Sequence, residues 1–173
     1  MVVIAKNCPD IEVEVVDINE NRIKAWNDTN LDNLPVFEPG LSEILIAVRN
    51  NNLTFSSKVE SSIRNSDMIF ISVNTPIKEK GMGAGETSDL RWVESCARLI
   101  SKSARGHTIV VEKSTLPVKT AQTIKEILDS STSNNSDEDR TFSFLSNPEF
   151  LAEGTAINDL VNPDRVLIGV DDL

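Results

Sequence analysis

An α/β fold built on a parallel sheet is predicted, on three observations. Ile11–Asp17 (I-E-V-E-V-V-D) alternates and is rich in β-branched residues, the pattern of a strand. Met68–Val73 (M-I-F-I-S-V) is a continuous apolar run, the signature of a strand buried in a parallel sheet. Between such runs lie helix-length segments, and polar residues cluster just after the strand ends, where open α/β sheets bind ligands.

The elements follow in order. Met1–Ala5 is a short apolar run that could be a first strand. A helix is expected over Glu20–Trp26, with Asp17 or Asn19 available as its cap. Asn27–Asn33 is a turn-rich polar loop, Leu34–Gly40 is extended, and Leu41–Val48 is helical. Leu53–Ser56 is a short strand, Val59–Asn65 a short helix, and Met68–Val73 the buried strand. Gly81, Gly83 and Gly85 lack the helix-starting third glycine of the dinucleotide fingerprint, so Ile77–Glu86 reads as a flexible loop. Thr87 or Ser88 would cap a helix over Asp89–Ser101, with Leu90, Val93, Ala97 and Ile100 on one face. Thr108–Glu112 is the next strand, and Pro117 opens a helix over Val118–Leu128. Ser130–Arg140 is a polar surface loop, a strand follows around Phe142 and Phe144, and Val166–Val170 is a last strand.

Composition bounds the function. The 173 residues suffice for one domain with a substantial core. A formal charge of −10 argues against nucleic acid or an anionic membrane as partner. No apolar run reaches a membrane span, and cytoplasmic residence is the expectation. Cys8 and Cys96 make no disulfide framework, and Cys96 reads as a small core residue. No metal-ligand spacing occurs, and the single histidine, His107, reads as a solvated turn residue.

Four polar clusters are candidates for chemistry. Asp17 ends a strand, where an acid either caps the next helix or binds the ribose of a dinucleotide. Asn74-Thr75-Pro76 ends another strand, as a simple turn or as a ligand-facing edge. Ser114 and Thr115 stand between a strand and a helix, as caps or as donors to a phosphate or cofactor amide. Glu149 and Glu153 follow Asn147-Pro148. If Phe150–Gly154 is a helical turn, the two carboxylates share a face, either as an acidic first turn or as a base and a ligand holder.

Several motifs in order carry a resemblance. They are V-V-D-I-N-E-N-R-I (15–23), L-P-V-F-E-P-G-L (34–41), S-V-N-T-P (72–76), E-K-S-T-L-P-V (112–118), S-N-P-E-F-L-A-E-G-T-A (146–156) and N-P-D-R-V-L-I-G (162–169). Together they resemble the N-terminal, NAD-binding part of the UDP-glucose 6-dehydrogenase family. The resemblance implies a Rossmann-like, doubly wound parallel sheet, with NAD as cofactor and UDP-glucose as substrate. It implies that the complete enzyme is a homo-oligomer and oxidises a primary alcohol to a carboxylate in two hydride transfers. It assigns Glu149 as general base and Thr115 as the group positioning the hydrolytic water. Asp17, Arg22, Ser72, Val73, Asn74, Thr75, Pro76, Ser114, Thr115 and Glu153 go to the cofactor, and Glu149, Phe150, Leu151, Ala152 and Glu153 to the sugar nucleotide.

Departures from the family pattern matter as much. On the resemblance, residues 2–10 match the end of the family's first helix, so residues 1–173 are expected to be an incomplete NAD-binding domain without its first strand and Gly-rich loop. The central and C-terminal UDP-binding domains, with the nucleophilic cysteine, would lie in later segments. The first glycine of the chain is Gly40, and Val170 stands where a second glycine is usual. The chain alone is therefore expected to bind NAD weakly or not at all and to be inactive. Two other readings stay open: a non-catalytic fragment or isoform that pairs with full-length subunits, and a dehydrogenase for another sugar nucleotide.

Overall fold

The structure is a computed structural model. It describes residues 1–76, 89–114, 120–132 and 140–170. It divides into two compact units, Met1–Ser62 with Phe150–Arg165, and Ile63–Glu149 with Val166–Leu173.

In the first unit, Val2–Asn7 is a helix (α1), which settles the two readings of the N-terminal run in favour of a helix. It is followed by β1 (Val13–Val16), α2 (Glu20–Asn27), a single 3-10 turn at Leu31–Asn33, α3 (Leu41–Val48) and β2 (Leu53–Ser56). β1 and β2 pair in parallel, Val13 opposite Leu53 and Val16 opposite Ser56. The core lies between α3 and this sheet. Leu41, Ile44, Leu45 and Val48 recur at helical spacing and are all buried, against Val13, Ile23, Leu53 and Phe55. Trp26 stacks on Phe55 with ring centroids 5.0 Å apart. The link from α3 to β2 is tight because Asn50 adopts φ 62°, a left-handed conformation that asparagine tolerates.

Asn52 ties α1 to this sheet. Its Nδ2 donates to the carbonyls of Ala5 (2.8 Å), Cys8 (3.2 Å) and Ile11 (3.1 Å), while its own carbonyl accepts from Val13 N at 2.8 Å. The Ala5 carbonyl needs this donor. Its helical partner would be residue 9, which is a proline and has no N–H.

α4 (Val59–Arg64) leads into the second unit, which contains β3 (Met68–Ile71), α5 (Arg91–Ser103), β4 (His107–Glu112), α6 (Thr120–Thr132) and β5 (Thr141–Ser146). The order β3-β4-β5 is parallel throughout, with Met68 opposite Ile109 and Glu112 opposite Ser146. β4 is central and its Val110 and Val111 are buried. Val93, Ala97 and Ile100 of α5 and Ile124 and Leu128 of α6 are buried as well. Arg140, also buried, donates from Nη1 to the carbonyls of Ser101 and Lys102, both at 2.8 Å. A cation at a helix C-terminus meets the negative end of the helix dipole, so Arg140 closes α5.

Several expectations need correction. β3 is not a buried strand: Met68 is 47% exposed and only Ile71 of β3 is buried, since among the described residues β3 pairs on one side only, with β4. Val166–Val170 is not a strand. Its one ladder contact is an antiparallel bridge from Gly169 to Ser146, and Val166, Leu167, Ile168 and Val170 are all exposed. α5 starts two residues late, because Asp89 accepts from Arg91 N at 3.1 Å and turns the chain before the helix. α6 runs on through Thr132, into the expected loop. His107 is the first residue of β4 rather than a turn residue; it is exposed, and its Nδ1 lies 2.9 Å from Thr141 Oγ1. The glycines 81, 83 and 85, the caps Thr87 and Ser88, Pro117 and most of the 130–140 loop lie outside the described residues.

Candidate functional site

Parallel pairing brings the C-terminal ends of β3, β4 and β5 to one edge of the second unit's sheet. Ser72–Pro76 follow β3 without regular secondary structure, with Ser72, Asn74 and Pro76 exposed and Val73 and Thr75 half-buried. Ser114 donates from Oγ to the Val73 carbonyl at 3.0 Å, and Lys113 N donates to the Ile71 carbonyl at 3.0 Å. At the end of β5, Asn147 N donates to the Glu112 carbonyl (2.8 Å) and Asn147 Nδ2 to the Leu167 carbonyl (2.8 Å), while Lys113 Nζ donates to Asn147 Oδ1 (3.1 Å). These bonds stop at Asn147, and two residues on Glu149 is exposed. Thr115 lies outside the described residues.

Glu112 sits at the centre of this edge, and sequence reasoning assigned it nothing. It is buried, and its Oε2 accepts from Ser146 Oγ at 2.7 Å. Its Oε1 has no hydrogen-bond partner among the described residues. Burial raises its carboxyl above the ordinary value of 4.5, against the opposing effects of the Ser146 hydroxyl, the Lys113 charge and the Ser114 amide. The consequence for stability has a definite sign. A carboxyl whose folded-state value is raised contributes fully below its unfolded value, and that contribution is lost as pH rises through the folded value. Glu112→Gln cannot ionise and keeps an acceptor for Ser146. Urea titrations are therefore expected to show this variant gaining on the parent chain, by about 1–3 kcal/mol, between pH 4 and pH 7. A constant difference across that range would show that the carboxyl is not held neutral.

In the first unit, Asp17 follows β1 and is half-buried. Its Oδ1 accepts from Asn19 N (2.8 Å) and its Oδ2 from Arg22 Nη1 (3.1 Å). The helix cap is Asn19, whose Oδ1 accepts from Asn21 N and Arg22 N at 3.0 and 3.2 Å. Asp17 is thus relieved of capping. Each of its oxygens uses one lone pair on these bonds and keeps another for a hydroxyl.

Phe150, Leu151 and Ala152 form irregular chain, Glu153–Thr155 a turn, and only Ala156–Val161 is helical (α7). The helical turn expected over Phe150–Gly154 does not form, so Glu149 and Glu153 do not share a helix face. Phe150–Ala152 are irregular, and Gly154 at φ 87° is left-handed, a conformation that glycine adopts without strain. Phe150 is 52% exposed, with the Arg165 guanidinium 4.6 Å from its ring centroid. Ala152 N and Thr155 Oγ1 both donate to Asp159 Oδ2, at 3.2 and 2.9 Å. Glu38 binds the next turn: Gly154 N donates to its Oε2 at 2.9 Å and Ala156 N to its Oε1 at 2.6 Å. No local pattern announces this contact, since the partners lie 116 and 118 residues apart.

Comparison with known proteins fits this arrangement. The chain is 55% identical over 170 residues to the UDP-glucose 6-dehydrogenase of Gallus gallus and 54% identical over 169 residues to UDP-glucose 6-dehydrogenase 2 of Arabidopsis thaliana. These matches cover 98% of this chain and 33% and 34% of those proteins, so the chain spans about a third of the length of the curated relatives it matches. Among solved structures, a UDP-glucose dehydrogenase from Pyrobaculum islandicum superposes with a TM-score of 0.79 at 29% identity. A GDP-mannose dehydrogenase from Pseudomonas aeruginosa does so with 0.79 at 28%; each covers 99% of this chain and 38% of the neighbour. The family description "UDP-glucose/GDP-mannose dehydrogenase family, NAD binding domain" matches residues 1–173. With that match running the length of the chain, and with parallel strands ending in the motifs that carry the likeness, the chain belongs to the UDP-glucose/GDP-mannose dehydrogenase family, as its NAD-binding domain.

Proposed function

We propose that this chain is the coenzyme-binding part of an enzyme that oxidises UDP-glucose to UDP-glucuronate with two NAD, in the cytoplasm and as a homo-oligomer. The observation that carries this reading is the 55% identity to a UDP-glucose 6-dehydrogenase along 98% of the chain. A solved GDP-mannose dehydrogenase superposes equally well, so fold alone does not choose the sugar nucleotide.

NAD supplies a hydride acceptor when bound. The residues described fit part of it. Asp17, with its free lone pairs, would hold the adenosine ribose, and Arg22 would lie beside that end. Ser72–Pro76, Ser114, Thr115 and Glu153 would contact the cofactor as well. Glu149, exposed past the end of β5, would take the proton from the sugar hydroxyl. Thr115 would orient the water that releases the acid product. The backbone of Phe150–Glu153 would face the sugar nucleotide.

The pyrophosphate is less well served, since G-x-G-x-x-G does not occur in the chain. Calorimetric titration of the 173-residue chain with NAD is therefore expected to show no micromolar binding. A chimera in which this chain replaces the matched 170 residues of the Gallus gallus enzyme is the companion test. It is expected to reduce NAD with UDP-glucose and not with GDP-mannose. Tight NAD binding by the isolated chain would overturn the first expectation, and an inert chimera that binds UDP-glucose would overturn the second. A second reading, a non-catalytic module that pairs with full-length subunits, is favoured by one feature: among the described residues β1 and β3 each pair on one side only.

A further inference from the structure

We propose that Glu38 is a positioning residue, whose carboxylate grips the backbone after Glu153 and thereby sets the turn that presents Phe150–Glu153 to a sugar nucleotide. The ligand in this statement rests on the reading above; the grip itself does not.

The geometry is specific. The two carboxylate oxygens accept from two different amides, Gly154 N at 2.9 Å and Ala156 N at 2.6 Å. Bonds from N–H to an ionised acceptor are about twice as strong as neutral ones. Gly154 stands at φ 87° and Thr155 precedes α7, so among the described residues Asp159 and the Ala152 carbonyl are what hold this turn besides the grip. The grip is also mounted on something rigid. Leu41 N donates to the Glu38 carbonyl at 3.0 Å, and Leu41 is the buried first residue of α3. Gly40 between them has φ 82°, and a Cβ there would lie 3.9 Å from Ile157 Cδ1, so α7 passes close over this turn. Ile157 packs on the same core as α3. The motif 34–41 and the motif 146–156 are therefore two halves of one device, a carboxylate on a packed support and the amides it orients.

Amide hydrogen exchange, followed by NMR on the whole 173-residue chain, tests the grip. In Glu38→Ala, exchange at Gly154 and Ala156 is expected to accelerate tenfold or more, while the amides of Leu45 and Val48 keep their protection. Glu38→Gln retains one acceptor oxygen and is expected to restore protection at one of the two amides only. Restoration at one amide is the mark of a two-pronged carboxylate, which a merely structural side chain would not leave. Unchanged exchange in Glu38→Ala would overturn the proposal. The positioning role is read by NMR in the Gallus gallus chimera, with and without Glu38→Ala, by titrating UDP-glucose. The shifts it induces at residues 150–153 are expected to need at least tenfold more ligand in Glu38→Ala than in the parent. Equal titrations would overturn the role. If the parent itself shows no shift at these residues, the substrate reading falls, and the exchange data still decide the grip.

Discussion

In the chimera with the Gallus gallus enzyme, Glu149→Gln is expected to lower kcat for UDP-glucose oxidation by about 10²–10⁴-fold, the range for removing a positioned general base. The proposed role requires a carboxylate that removes the hydroxyl proton as hydride leaves, and an amide of the same shape cannot accept it. KM for UDP-glucose should stay within about threefold, since the side chain would act in the transition state more than in ground-state binding. The location supports this demand: Lys113, Ser146 and Asn147 anchor the strand ends just before the acid, and Glu149 itself is exposed. A loss smaller than threefold would remove Glu149 from the mechanism.

The second large effect concerns folding. Asn52→Leu is expected to destabilise the first unit by about 2–3 kcal/mol, against a domain stability of about 5–15 kcal/mol. The substitution keeps the branched shape and the heavy-atom count and deletes the Nδ2 donor. The Ala5 carbonyl, in a residue only 1% exposed, then has neither Asn52 nor the amide that Pro9 lacks. The Ile11 carbonyl also loses a donor, while the Cys8 carbonyl keeps the bond from Ile11 N. Asn52→Asp should be worse at neutral pH, since a carboxylate would face three carbonyl oxygens. Urea unfolding gives the size, and amide exchange gives the place: protection should fall in β1 and β2 while β4 is unaffected. Equal losses in both sheets would show that the substitution acts on the chain as a whole.

Much of the architecture was legible from local pattern. Leu41–Val48 and Leu53–Ser56 were read to the residue, because an apolar 3.6-residue period after a glycine, and alternation between turn residues, each admit one conformation. The positions of Asp17, Ser114 and Glu149 at strand ends followed from the same patterns. What escaped was burial and partnership. Met68–Ile71 has the composition of a buried strand, yet burial depends on what pairs with it. Val166–Val170 has strand propensity and makes one bridge only. Glu38 and Glu112 stood inside recognised motifs without a role, because what each one touches is distant in the chain.

By itself, the amino-acid order determined most of the stretches that are helix or strand, the parallel α/β class and the family. Each of these rests on period, propensity and motif, which are local properties. Only the tertiary structure decided that Asn19 rather than Asp17 caps α2, that Phe150–Ala152 are irregular and Gly154 left-handed where a helical turn is expected, and that Glu38 holds the turn behind Glu153. Those outcomes depend on hydrogen bonds and on a backbone torsion set by three-dimensional packing, and no reading of neighbours along the chain contains them.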